Sequence, residues 1–393
     1  MSAAATSRRA RRFVAVGTGF LLVWQAAALA GVSRRAELAL GLLGFVLHVV
    51  FGKAYALVPT YFDRELAAPR APALHLPLSA VGAGALGATA VVDAPPVVEA
   101  LGALAWAAGV AVFLAALGWT VRDNPTGAET GTSEANRERR AVDRAANAFV
   151  PVALAYLGLG SYELLAGALG LPSPFGGALP RAAHLLAAGG AGTLLFAVGF
   201  RLLPRFLVAR PPRPLVPVVL LAGAVGPALV AATLPAGRWF PLAAAVEATA
   251  VVGFALAYLA LFVRSERRRV GFYGVLAGAA AGTVGVLLGA SFVFLGPRPA
   301  LVAAHLRANL LGFLGLTVVG VSYQFYPPSV GTFPGAGDRT AAAALGGLGV
   351  GLLAEVVGYA GGVDALATAG AALALAGAAT HCYLVFGLFR ERG

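Results

Sequence analysis

Apolar runs of about twenty residues recur along the whole of this chain, and they constrain its fold more than any other feature. A bilayer core about 30 Å thick needs about 20 apolar residues for each helical span. Only 12% of the 393 residues are charged, against about 25% in an ordinary soluble domain. We therefore predict an all-α, polytopic membrane protein in which residues 1–393 form a single transmembrane domain.

The apolar runs are bounded by arginine, proline and glycine, which places about twelve transmembrane helices. The predicted helices, one to twelve, are residues 13–31, 37–59, 74–93, 98–121, 147–171, 181–204, 212–233, 240–263, 270–295, 301–327, 340–360 and 363–389.

The basic residues indicate how these helices are oriented, because cytoplasmic loops collect positive charge during insertion. With the N-terminus inside, 23 of the 29 basic residues fall on inner segments. The outer segments hold Arg34, Arg35, Arg181, Arg238 and Arg298, and Arg307 lies inside helix ten. We predict a multi-pass protein of the plasma membrane with both termini cytoplasmic.

This topology explains the net charge of +12 better than nucleic acid binding does, so the expected partner is the lipid bilayer and not a nucleic acid.

The first helix has two interpretations. Arg8 to Arg12, the apolar stretch after them and Ala28-Leu29-Ala30 resemble a cleavable signal sequence. The apolar run is long for the core of a signal peptide, which favours a retained membrane anchor.

The segment 122–146 is the only long polar stretch in the sequence. Its first half is rich in Pro, Gly, Thr and Ser and predicts a flexible linker, and its charged second half predicts a short surface helix. We expect the whole segment to be a solvated cytoplasmic loop.

Ionisable residues inside the predicted helices are the candidate functional residues, because such groups are costly in a bilayer and usually face the interior of a bundle. Alternation of helix direction places six of them toward the outer leaflet: Glu163, His184, Glu247, His305, Arg307 and Glu355. Simpler roles stay open, since either histidine could sit at the interface with water and Arg307 could pair with one of the three glutamates. His48, near the middle of helix two, fits a packing role and a ligand role equally.

Helix ten carries a recognisable series of residues: His305, Arg307, Gly312, Gly315, Gly320, Tyr323 and Pro327. The series resembles helix ten of the haem-copper oxidase catalytic subunit, subunit I, and most closely its C-type oxidase and nitric-oxide reductase branch. There, His-x-His is followed by glycines and by Tyr-x-x-x-Pro. Helix six, with His184, Gly199 and Pro204, is similar to the copper-ligand helix of that family, and helix two ends similarly at Tyr55 and Pro59. The resemblance implies a subunit I-like bundle.

The resemblance also implies the roles of single residues. His305 would bind the gas-binding haem, His184 would bind copper, and Arg307 or the outer arginines would pair with the haem propionates. Arg307 stands where the family has a second haem-ligating histidine, and a guanidinium cannot ligate iron. The copper centre of the family also needs two histidines in helix seven, which has none here. A complete dioxygen reductase is therefore not expected.

Three functions remain open at this point. The first is a reduced relative of the oxidases, similar to the haem- and copper-containing membrane proteins linked to nitric-oxide tolerance. It would be a membrane oxidoreductase with one b-type haem, a copper ion or both, served by a redox donor or by other membrane subunits. The second is a cofactor-free partner subunit of a membrane complex. The third is a transporter whose polar cavity is lined by Glu163, Glu247, Glu355 and Arg307.

The single cysteine, Cys382, excludes an internal disulfide and cysteine-based metal clusters in all three cases.

The asymmetry of the basic residues gives the first testable prediction. Reporter fusions and cysteine labelling in intact cells should place the segment 122–146 and both termini in the cytoplasm, because 23 of 29 basic residues lie on that side. Labelling of that segment by an impermeant reagent added outside the cell would overturn the topology. A label introduced beside Arg181, on the opposite side, is the matched positive control.

Overall fold

The computed structural model describes residues 3–92, 94–235 and 237–391, most of which are helical. Within these residues, twelve helices are long and apolar enough to cross a membrane. The predicted all-α membrane fold is confirmed. The chain is a multi-pass membrane protein whose lipid-facing helices contact the bilayer.

We number the spanning helices α1 to α12 in chain order. They are α1 Arg8–Leu29, α2 Arg34–Tyr61, α3 Ala71–Thr89, α4 Pro96–Val121, α5 Glu134–Leu169, α6 Leu179–Leu207, α7 Leu215–Thr233, α8 Phe240–Arg264, α9 Val270–Leu295, α10 Pro299–Val330, α11 Asp338–Gly361 and α12 Asp364–Glu391. Since α1 begins and α12 ends on one face of the bundle, we call it the terminal face. The other is the histidine face, where α6 and α10 begin.

Three helices form the centre of the bundle. In the most apolar stretch of α2, α6 and α10, the buried share of the residues is 78%, 78% and 67%. In no other spanning helix does this share exceed 44%. Each of the three contains a π-helical segment, at Leu38–Leu47, Leu185–Gly192 and Ala308–Leu316, and these segments contact one another. A π segment widens the helix locally and is frequent at functional sites. We call α2, α6 and α10 the core helices.

The chain is a threefold repeat of one four-helix unit. In each third of the chain, one helix packs on a core helix, and a closely packed antiparallel pair follows: α3 with α4, α7 with α8, and α11 with α12. The sequence carries the same repeat. A glycine lies fifteen residues before the proline near the end of each core helix: Gly44 before Pro59, Gly189 before Pro204 and Gly312 before Pro327.

These glycines allow close approach of each core helix to the helix before it. A Cβ atom added to Gly44, Gly189 or Gly312 would lie 2.5 Å from a side chain of α1, α5 or α9 respectively, at Phe20, Tyr156 and Ala281. No side chain larger than hydrogen fits at that distance. Gly312, the first glycine of the resemblance motif in helix ten, thus has a packing role.

The polar segment after α4 is ordered by hydrogen bonds, although its sequence suggests a flexible linker. Arg201 donates to the carbonyl oxygen of Thr130 at 2.8 Å, and Asn147 donates to that of Gly127 at 3.1 Å. The short helix predicted for the charged half is present as Arg140–Ala148, at the start of α5. This segment is therefore packed against the terminal face and is not a flexible linker.

Glycine packing between α11 and α12 gives a second prediction. A Cβ on Gly351 would lie 2.6 Å from the backbone of Gly370 and Ala374, whereas Gly346, on another side of the same helix, has open space. Gly351→Ala should therefore destabilise the protein by about 1–3 kcal/mol through overpacking. Gly346→Ala should be neutral or stabilising by up to about 1 kcal/mol, since alanine is the better helix former.

Thermal unfolding of both variants in detergent measures this difference. Equal unfolding temperatures for the two variants would contradict the packing of α11 against α12. Wild-type protein prepared in the same detergent provides the reference.

Candidate metal or haem site

His184 and His305 meet in a cavity at the histidine face. A cavity of about 440 Å³ is lined by both histidines, by Glu247 of α8 and by Arg34 at the start of α2. An adjoining cavity of about 360 Å³ is lined by the same four side chains. We call the two together the histidine cavity. Most of its remaining lining is apolar, which is typical of cofactor sites with a few polar groups.

The two imidazole rings are held in one tautomer. Nδ1 of His184 lies 2.8 Å from the carbonyl oxygen of Pro180, and Nδ1 of His305 lies 2.8 Å from that of Gly285. A carbonyl oxygen only accepts, so each Nδ1 carries the proton and donates it. Nε2 of each neutral ring then keeps its lone pair. Metal-binding histidines show this arrangement, in which the second ring nitrogen donates to a carbonyl.

The two rings are close enough to serve one centre. Their centroids are 6.2 Å apart and their planes differ by 22°. A metal ion about 2.0 Å from a ring nitrogen lies roughly 3.2 Å from that ring's centroid, which limits two rings on one ion to roughly 6.4 Å. The observed separation is within this limit. It leaves no space for two metal centres in line between the rings.

Glu247 has an unsatisfied oxygen beside the histidines. Its Oε2 is inaccessible to solvent and has no hydrogen-bond partner among the described residues, although the side chain as a whole is partly exposed to the cavity. A buried polar atom without a partner usually marks a water, ion or ligand that belongs at the site. Glu247 therefore adds an acceptor to the two imidazoles.

Arg307 faces a different neighbour, as its position two residues from His305 requires. Its guanidinium donates Nη2 to Glu355 at 2.7 Å and Nε to the other oxygen of that carboxylate. Nη1 donates to Glu37 at 3.1 Å, and Nη2 also donates to Gln25 at 2.7 Å. Arg307 is only 1% exposed. The expected pairing with an intramembrane glutamate is confirmed for Glu355.

The histidine pair and the ion pair occupy equivalent positions in the threefold repeat. His184 and Arg307 each lie twenty residues before the proline of their core helix, and Glu37 and His305 each lie twenty-two residues before it. His184 of α6 meets His305 of α10, and Arg307 of α10 meets Glu37 of α2 in the same way. At the third contact, the equivalent residues of α2 and α6 are Ala39 and Ala182, both buried.

Two of the predicted site residues, Glu163 and His48, lie neither in the histidine cavity nor in the ion pair of Arg307. Glu163 accepts hydrogen bonds from Ser173 and from the backbone amides of Phe175 and Gly177, at 2.9–3.1 Å, and so fixes the loop between α5 and α6. His48 has both nitrogens engaged, Nδ1 with the carbonyl oxygen of Leu43 at 2.8 Å and Nε2 with the hydroxyl of Ser79 at 3.1 Å. Of the two roles open for His48, the structure shows packing.

The sequence-based prediction missed Glu37 and Gln25 as partners of Arg307. Glu37 lies at the predicted start of helix two and carried no sign of being buried, yet it is 8% exposed. Gln25 is uncharged, but an amide inside the apolar run of helix one was a detectable signal, since such groups seek partners in lipid. The structure shows that it is fully buried. The role of Arg307 as a cofactor-binding residue stays a prediction, and its visible contacts are with these carboxylates and this amide.

No known protein-family model matches this chain, and no curated protein matches it. The described residues contain no group of three His, Cys, Asp or Glu side chains placed to hold one metal ion. A centre at the histidine cavity would therefore have two imidazoles as its protein ligands.

The contacts of Arg307 give a third prediction. Arg307→Leu should destabilise the protein by about 3–5 kcal/mol, because it leaves the Glu355 and Glu37 carboxylates buried without their cation. It should not remove a cofactor from the histidine cavity, which Arg307 does not line. Thermal unfolding and an absorption spectrum of the same detergent sample measure both effects.

Arg298→Leu is the matched control, since Arg298 is exposed at the start of α10 and its loss should change stability little. If Arg307→Leu abolished an absorption spectrum with stability unchanged, Arg307 would belong to the cofactor site. The Arg307→Leu, Glu355→Leu double variant should recover part of the lost stability.

Proposed function

We propose that His184 and His305 of this membrane protein would hold one b-type haem, and that a small gas such as nitric oxide would bind to it by displacing one of the two imidazoles. The observation that carries the proposal is the pair of imidazoles with Nδ1 bonded to backbone carbonyls and Nε2 left as a free ligand atom in one cavity. The proposed function is that of a reduced relative of the haem-copper oxidase catalytic subunit.

The donor set favours haem over a bare copper ion. Two imidazoles alone retain copper poorly, because further ligands are needed, and the described residues supply no third ligand. The porphyrin of a haem already binds its iron, so the protein would need to supply only the two imidazoles of His184 and His305. The spacing of 6.2 Å between the ring centroids also fits one iron atom better than an iron and a copper side by side.

The remaining polar groups fit the periphery of such a cofactor. Arg34 lines both parts of the histidine cavity and is exposed at the histidine face. A guanidinium there suits a propionate, since arginine pairs with carboxylates through two parallel hydrogen bonds. Glu247 provides a carboxyl group in the same cavity. When bound, the haem would supply the redox chemistry, and the gas would take the place of one imidazole.

The transport hypothesis has less geometric support. It requires Glu163, Glu247, Glu355 and Arg307 to line one polar cavity, but of these four only Glu247 lines the histidine cavity. Arg307 and Glu355 neutralise each other, and Glu163 is bonded to a loop. A cofactor-free partner subunit remains the alternative outcome of the following test.

The proposal predicts that protein purified in detergent shows a Soret band and contains about one iron per chain. His184→Ala and His305→Ala should each lose most of that absorbance, because each removes one of the two imidazoles that would hold the haem. His381→Gln is the matched control, since His381 is an equally intramembrane histidine that bonds to the Tyr323 hydroxyl at 3.0 Å, away from the cavity.

Metal analysis of the same samples separates the alternatives. Copper without a Soret band would replace haem by a copper ion at the same residues. Neither haem nor metal, in protein that is folded and expressed with haem available, would refute the proposal in favour of a cofactor-free subunit.

A further inference from the structure

A second cavity lies on the axis of the threefold repeat, between the three core helices. It has a volume of about 100 Å³, and eighteen of its nineteen lining residues form sets of three at matching distances from the core-helix prolines. Two such sets are Val50, Leu195 and Val318, and Lys53, Val198 and Val321. We call this space the axial cavity. Its position follows from the repeat, because three equivalent helix faces of small and branched residues surround it.

Lys53 closes the end of the axial cavity toward the terminal face. It is the only lysine in the chain, and its ammonium donates to the Tyr326 hydroxyl at 3.0 Å. The ammonium also lies 3.7 Å from the centroid of the Phe325 ring and 4.1 Å from that of Tyr326. Its charge is thus met by aromatic faces and one hydroxyl. A fixed cation at this end opposes the entry of other cations.

Leu314 separates the axial cavity from the histidine cavity at the other end. Its side chain lines both spaces, so the wall at this point is one side chain thick. Leu314 belongs to the π segment Ala308–Leu316, and Ala191, also in the lining, belongs to the π segment Leu185–Gly192. Displacement of this one side chain, which borders open space on both sides, would connect the two cavities.

The chemistry of the lining selects an uncharged occupant. Lys53, Thr317 and Ser322 are the polar residues in a wall that is otherwise aliphatic or aromatic, and the Lys53 ammonium is already engaged. A buried water needs two to four polar partners, whereas an apolar cavity of about 150 Å³ stays dry and takes up xenon. A space of about 100 Å³ suits a diatomic gas.

We propose that the axial cavity binds a small uncharged gas molecule and delivers it past Leu314 to the histidine cavity. Binding in the axial cavity requires no metal at the histidines. Only the use of the delivered gas rests on the proposed function. The two are therefore tested by different measurements.

Crystals of the full-length protein pressurised with xenon test occupancy of the axial cavity directly. We expect a xenon peak between Val198 and Val321. Val321→Phe and Val198→Phe, on two different core helices, should each fill the space and remove the peak. Val218→Phe is the control, because Val218 is 44% exposed on the lipid side of α7 and its replacement should leave the peak in place.

Leu314→Ala tests the connection between the two cavities. We expect xenon density to extend from the axial cavity into the histidine cavity once the side chain is removed. An empty or water-filled axial cavity in the wild-type protein would overturn the proposal, and so would a wall that stays closed in Leu314→Ala. Neither result would bear on whether haem is bound, which the absorption spectrum decides.

Discussion

Close backbone approach at glycine is the constraint on which the rest of this bundle depends. Lipid provides no hydrophobic force between helices, so association relies on packing and on satisfied polar groups. Gly44, Gly189 and Gly312 bring each core helix against its neighbour at distances that no larger residue permits. The tight outer contacts position the core helices, and the two cavities lie where the faces of those helices do not fill the centre.

The buried cluster around Arg307 adds specificity to this packing. It joins α1, α2, α10 and α11 through Gln25, Glu37, Arg307 and Glu355. Gln25 and Glu355, which lie more than 300 positions apart in the sequence, thereby bind one guanidinium. A buried ion pair is weak support for stability when compared with a well-packed apolar core, but removal of one member is costly. The cluster thus favours a single arrangement of these four helices.

The sequence predicted the twelve helices, because these depend on local composition, and helix depth placed His184 and His305 toward the same leaflet. Depth could not show that the two histidines share a cavity, which depends on how α6 and α10 pack. The sequence did not predict which glutamate takes which partner. Under the transport hypothesis Glu163 would line a polar cavity, but the loop between α5 and α6 folds back to bind it, and such contacts leave no periodic signal. Nothing in the sequence indicated which backbone carbonyl oxygens fix the tautomers of His184 and His305. The repeated spacing of Gly44 and Pro59, Gly189 and Pro204, and Gly312 and Pro327 was available in the sequence and was overlooked.

The threefold repeat has a consequence for how such a protein changes over time. Three sets of equivalent positions on its core helices hold a pair of histidines, an arginine with a glutamate, and two buried alanines. The same arrangement of core helices thus accommodates three different pairs of residues. A triplicated scaffold can therefore exchange the chemistry of one position at a time, and lose or regain a ligand pair there without having to discover a new fold.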